Sequence, residues 1–106
     1  MSLKITVHTE NNQCVIQVEG DVDERGAEEL KRRFQELPHS QLNDVTVDFK
    51  AVSHIGSAGI GKLLVLYKDL AVYNAKLRLT SVPRPIYNLL CEMKLNTIFT
   101  IEPMSR

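Results

Sequence analysis

The chain has 106 residues, which suits one domain over 1–106 and one core, with little room for a deep catalytic cleft as well. At 43% hydrophobic and 25% charged it has the composition of a folded globular protein, which excludes a disordered or fibrous one. Thirteen basic residues balance thirteen acidic ones. The densest basic run, Lys31-Arg32-Arg33, has Glu28-Glu29 beside it, an interleaving that describes a solvated helix face and argues against a nucleic-acid partner.

Leu3, Ile5 and Val7 alternate with Lys4, Thr6 and His8, which predicts a strand with one buried face. A turn at Asn11-Asn12 leads to a second alternating run, Cys14, Ile16 and Val18, so the two read as a hairpin. Gly20-Asp21-Val22-Asp23 ends the second strand. Asp23 is placed to cap the next helix, because a short side-chain oxygen accepts an orphan N–H. Behind it Ala27, Leu30, Phe34 and Leu37 fall at helical spacing, and Pro38 stops the helix. Residues 40–43 read as a loop, and Val45, Val47 and Phe49 as a third strand.

In the second helix Ile60, Leu63, Leu64, Tyr67, Leu70 and Ala71 form one stripe. Val65 and Leu66 lie off it, where they either widen the buried face or leave an apolar patch for a partner. Leu77 and Leu79 mark a fourth strand. Ser81-Val82-Pro83 starts a third helix, with Ile86, Leu89, Leu90 and Met93 as its face. Residues 98–101 read as a short last strand, and residues 103–106 as a loose tail. The order β-β-α-β-α-β-α-β, with strands that alternate instead of running apolar throughout, predicts a small mixed sheet in the α/β class, its helices mainly on one face.

Cys14 and Cys91 lie in apolar stretches without CxxC spacing and read as buried thiols. His8, His39 and His54 show no ligand spacing, so neither a metal nor a cofactor is expected. No apolar run is long enough to insert in a membrane, and a cytoplasmic location is expected.

The most informative segment is Ser53-His54-Ile55-Gly56-Ser57-Ala58-Gly59-Ile60-Gly61-Lys62, between the third strand and the second helix. A serine there exposes its hydroxyl near unpaired N–H groups and the positive end of the helix dipole. The segment admits three readings. One is a phosphorylatable switch, since the small neighbours Gly56, Ala58 and Gly59 let another protein's active site reach Ser57. Another is a phosphate-binding loop, because Gly56 to Lys62 fits G-x-x-x-x-G-K, although Leu63 stands where Ser or Thr should hold Mg²⁺. The third is an ordinary helix cap. A serine-hydrolase elbow fits less well, with Ile55 where the first glycine of G-x-S-x-G belongs.

Taken in order and spacing, several segments resemble the STAS domain of bacterial anti-sigma-factor antagonists. They are Gly20-Asp21-Val22-Asp23, Val45 to Phe49 followed by Val52 to Gly61, Leu77-Arg78-Leu79, Val82-Pro83 with Ile86 and Leu89, and Met93-Lys94-Leu95. The resemblance covers nearly the whole chain. It implies a STAS-like single domain, not an enzyme, that switches partners. A serine-kinase anti-sigma factor of the GHKL type would phosphorylate the serine matching Ser57, and the phosphate would weaken binding. Asp23 matches an Asp that lies near that serine in the family. Gly56, Ala58, Gly59 and Asp23 would shape the docking surface, and Lys62, Val65 and Leu66 would extend it. Three positions depart from the family: Gly56 replaces the usual Asp, Ala58 a second Ser or Thr, and Lys94 a Gly. STAS domains with altered turns also serve as scaffolds, as stressosome components, or as subunits that bind the ATPase of an ABC-type lipid transporter.

Overall fold

The computed structural model describes residues 3–105. Its first two strands, β1 (Lys4–Glu10) and β2 (Gln13–Val22), form the expected hairpin. Helix α1 (Glu24–Gln35), strand β3 (Asp44–Ile55), helix α2 (Ser57–Ala71), strand β4 (Lys76–Val82), helix α3 (Arg84–Glu92) and strand β5 (Thr100–Pro103) follow. The sheet order is β1-β2-β3-β4-β5. β1 is antiparallel to β2, and each later pair is parallel. Each crossover moves one strand further in the same direction. Because such crossovers are right-handed, all three helices land on the same face.

Burial follows from that placement. Cys14, Ile16 and Val18 of β2, Val45, Val47 and Phe49 of β3, and Leu77 and Leu79 of β4 are buried under the helices. Each such aliphatic or aromatic side chain contributes roughly 1.5–3 kcal/mol by leaving water. The alternate residues, among them Gln13, Gln17, Lys76 and Arg78, face solvent on the open side. The two-face pattern expected from the alternation is therefore present. At the edge, Ile5 and Val7 are only half buried.

Several local expectations are corrected. β3 runs to Ile55, further than its apolar core at Val45 to Phe49 suggested, because its second half pairs with β2 beyond the end of β4. That extension carries two irregularities, near Gln17/Glu19 and Gly20/Asp21. Gly20 at the second takes a φ of 110°, a conformation side chains resist. Residues 39–41 form a 3₁₀ turn where a loop was expected.

In α2 the stripe turns toward Leu66, which is 1% exposed, while Ala71 faces solvent. The helix packs against α1 as well as the sheet, and Lys62 Nζ lies 3.8 Å from Glu28 of α1. In α3, Pro83 is the cap and Arg84 the first helical residue. Ile86 and Leu90 point inward, whereas Leu89 and Met93 are exposed. Leu95 and Phe99 close that end of the core instead, with the Phe99 ring 5.8 Å from Tyr67. Lys94 takes a φ of 64°, the left-handed conformation that glycine adopts more readily. The last strand begins at Thr100, two residues later than expected, and Ile98 is exposed. The expected loose tail is tied down as far as Met104, whose N–H donates to the Val82 carbonyl at 2.8 Å; Arg106 lies outside the described residues.

Of the two thiols only Cys14 is buried, and Cys91 is half-buried. Burial pushes the Cys14 thiol up, partly offset by a hydrogen bond with Thr9. Among the described residues no helix is long and apolar enough to cross a membrane.

Candidate functional site

β2 and β3 end side by side, with Val22 paired to Ile55. The chain leaves each strand through one residue and enters a helix, so the N-termini of α1 and α2 emerge next to each other at the carboxyl edge of the sheet. Between them lies an open depression of about 730 Å³, lined by Asp23, Glu24, Arg25, His54, Gly56, Ser57 and Ala58.

The α1 side is capped as the sequence predicts. Asp23 has extended backbone, and its Oδ1 accepts from the Gly26 N–H at 2.8 Å. Gly26 is required there, because a Cβ would come 2.7 Å from the Asp21 carbonyl.

The α2 side differs from the cap reading of Ser57. The cap is Gly56, one residue earlier, and it has no side chain to accept a bond. Ser57 is the first helical residue and is exposed. Its hydroxyl has no side-chain hydrogen bond among the described residues. The Ile60 N–H is the first to find a helical acceptor, the Gly56 carbonyl at 3.1 Å, so the donors of Ser57, Ala58 and Gly59 are left without one. The Gly56 N–H is held by the Val22 carbonyl at 3.0 Å, which fixes the start of α2 to the end of β2.

Gly59 is buried and presents nothing to a partner, contrary to its expected place on the docking surface. Its part is to let α2 approach the sheet, since a Cβ would stand 2.5 Å from Val22 Cγ1 and 2.9 Å from Ile55 Cγ1. Leu66 is 1% exposed and lies almost wholly in the core, reaching the surface only as part of the lining of the groove between α2 and α1. Val65, 51% exposed, and the half-buried Lys62 remain on the outer side of α2 and line a groove against α1 with Lys31 and Phe34. The structure thus brings Asp23, Gly56, Ser57 and Ala58 into one depression, and sets Lys62 and Val65 on the adjoining groove.

Three residues that line the depression were not singled out as site residues. Glu24 and Arg25 follow the Asp23 cap directly, so any α1 cap at this edge brings them along. His54 is aimed here by the second irregularity of β3. Beside it in sequence the Ser53 hydroxyl donates to Asp21 Oδ1 at 2.5 Å, tying β3 to β2.

The phosphate-loop reading does not survive this geometry. Such a loop wraps phosphates with extended backbone before its helix begins. Here the helix starts at Ser57, so Ala58 to Lys62 are already wound into it, and the Lys62 ammonium reaches toward Glu28. Among the described residues the sheet order also never reverses, so the strands form no switch-point crevice of the kind that holds small ligands in open α/β sheets.

A family profile described as "Mlab, STAS domain" matches residues 5–102. The chain therefore belongs to the STAS domain family. Among solved structures, an anti-sigma factor antagonist from Mycobacterium paratuberculosis superposes with a TM-score of 0.84 at 18% identity, covering 97% of this chain and 87% of that one. The Bacillus cell fate determinant SpoIIAA in its phosphorylated form gives 0.74 at 14% identity, over 92% of this chain and 90% of that one. An anti-sigma-factor antagonist (STAS) domain protein from Planctomyces limnophilus gives 0.74 at 18% identity, over 93% and 89%. At these identities the structures establish a shared fold.

Proposed function

We propose that this STAS domain is a partner-switching regulator of the anti-sigma-factor-antagonist type. It docks a serine-kinase anti-sigma factor through the Asp23–Ser57 depression and the adjoining face of α2, and phosphorylation of Ser57 weakens the complex. The observation that carries this reading is the exposed Ser57 hydroxyl, without a side-chain hydrogen bond among the described residues, at a helix N-terminus with no side-chain cap. Small neighbours, Gly56 and Ala58, leave it open to a kinase active site. A phosphate there adds close to two negative charges at neutral pH. The positive end of α2 tolerates that charge within the domain. An apolar or acidic partner surface laid over the depression does not. The fold likeness to antagonists agrees with a docking role, and the open depression suits a protein surface better than a small substrate.

One observation favours a second reading. Gly56 stands where the switching members have an Asp, so the same surface can serve a constitutive complex, as in a subunit that binds the ATPase of an ABC-type lipid transporter. A pull-down from the host lysate with wild type and Ser57→Asp as baits separates the two. Mass spectrometry reads both the partners and the state of Ser57. A serine kinase held by wild type and lost from Ser57→Asp, with phosphate on Ser57, is the outcome expected of a switch. An ATPase or scaffold held equally by both baits, with Ser57 unmodified, overturns it in favour of the constitutive reading.

A further inference from the structure

The outer edge of the sheet is long and regular. β1 is an edge strand of seven residues without proline, and its pairs with β2 run from Lys4 to Glu10 without a bulge. Edge strands of this length usually carry a proline, a bulge or an inward-pointing charge that discourages pairing with another chain. On its helix-facing side β1 carries instead Ile5 and Val7, both apolar and half buried. The opposite edge is protected, since β5 has four residues and ends at Pro103.

The free backbone groups of β1 can be assigned. Glu10 pairs with Gln13 across a two-residue turn, so the N–H and C=O of Glu10 face β2. By alternation those of His8, Thr6 and Lys4 do as well, and those of Ile5, Val7 and Thr9 face outward. An independent contact agrees with this. Arg33 of α1 reaches around the edge and donates to the Ile5 carbonyl at 3.1 Å. Among the described residues no strand lies beyond Val7 and Thr9.

We infer that this edge pairs with a second copy of the chain, antiparallel and centred on Val7, so that two sheets join into one. The charges of the strand select that register. Centred on Val7, Lys4 of each copy stands opposite Glu10 of the other on the open face, and Thr6 stands opposite His8. On the helix face Val7 meets its own equivalent and Ile5 meets Thr9, which covers the half-buried apolar row. A pairing centred on Thr6 would set Lys4 against His8 and place no charged residue of the sequence opposite Glu10. A parallel in-register pairing would set Lys4 against Lys4. A one-residue offset would turn the apolar face of one copy toward the polar face of the other. The pairing is two-fold and self-complementary, the commonest form of homodimer. Two local contacts must yield to it. Arg33 gives up the Ile5 carbonyl to a Thr9 N–H of the other copy, and Glu10 shares itself between Lys4 of the other copy and His8 of its own strand, whose Nε2 lies 3.5 Å away. The strip is narrow, so the dimer is weak and depends on concentration.

Sedimentation or light scattering from about 10 μM to about 1 mM tests this on the full chain. The average mass is expected to climb from 12.0 kDa toward the dimer value. Lys4→Glu and Glu10→Lys are each expected to weaken the dimer about fivefold or more, and the double variant to restore it. Val7→Pro removes an outward N–H and is expected to abolish the dimer while far-UV circular dichroism stays as in wild type. A monomer over the whole range overturns the inference. So does a dimer insensitive to both charge variants, since it would use another surface. Neither result bears on Ser57, which lies on a different edge.

Discussion

Two helices start side by side at one edge of the sheet and begin in opposite ways. At α1 the Asp23 carboxylate closes the first turn on the Gly26 N–H, and Glu24 adds a negative charge that the helix dipole favours. At α2 the cap is a glycine, no acidic residue follows in the first turn, and the Ser57 hydroxyl is exposed beside unpaired donors. The sequence uses ordinary capping chemistry at one start and withholds it a few residues away in space. The open start is still anchored firmly, through Gly59 pressed against Val22 and Ile55 and through the Gly56 N–H on the Val22 carbonyl. An end that is held rigidly but left chemically unsatisfied is suited to presenting a modifiable group.

The anchoring is the part whose loss should matter most. Gly59→Ala places a Cβ within 2.5 Å of Val22 Cγ1 and should cost about 1–3 kcal/mol in denaturant unfolding. A neutral result would mean that α2 does not sit tightly on the strand ends. Asp23→Ala should cost about 1 kcal/mol, because it makes the start of α1 as open as that of α2. Gly61, one turn into the same helix, has nothing within 4 Å of its would-be Cβ, so Gly61→Ala should stabilise by about 0.5–1 kcal/mol. A loss there would show crowding that the structure does not. Smallest of all, Gly56→Asp makes α2 start as α1 does. It should stabilise by a few tenths of a kcal/mol, since the space beside Gly56 is open, with the nearest atom 3.9 Å away. Destabilisation by this change would break the comparison between the two helix starts.

How much of this was legible in the sequence depended on range. The one-sided sheet was written in the alternation of β2 and β4, and the Asp23 cap in three consecutive residues, because both are local. Leu66 and Ala71 could not be ranked from the stripe alone, since the contact with α1 decides which is covered. Leu89 and Met93 fit the periodicity of α3, but Leu95 and Phe99 arrive from further along the chain and take the space. The reach of β3 to Ile55 was hidden because its irregularities break the alternation after Phe49. At the site, Asp23, Gly56, Ser57 and Ala58 were readable from spacing and family likeness, whereas Glu24, Arg25 and His54 enter the depression only through how β2 and β3 end.

The central claim is that charge at Ser57 controls docking at this edge. The direct measurement is a calorimetric titration of the purified kinase partner into wild type and into Ser57→Asp, with both baits shown to be equally folded by their unfolding midpoints. The account predicts saturable binding to wild type and at least about a tenfold loss for Ser57→Asp, as like charge or buried charge at an interface produces. Equal affinities for the two proteins would contradict it.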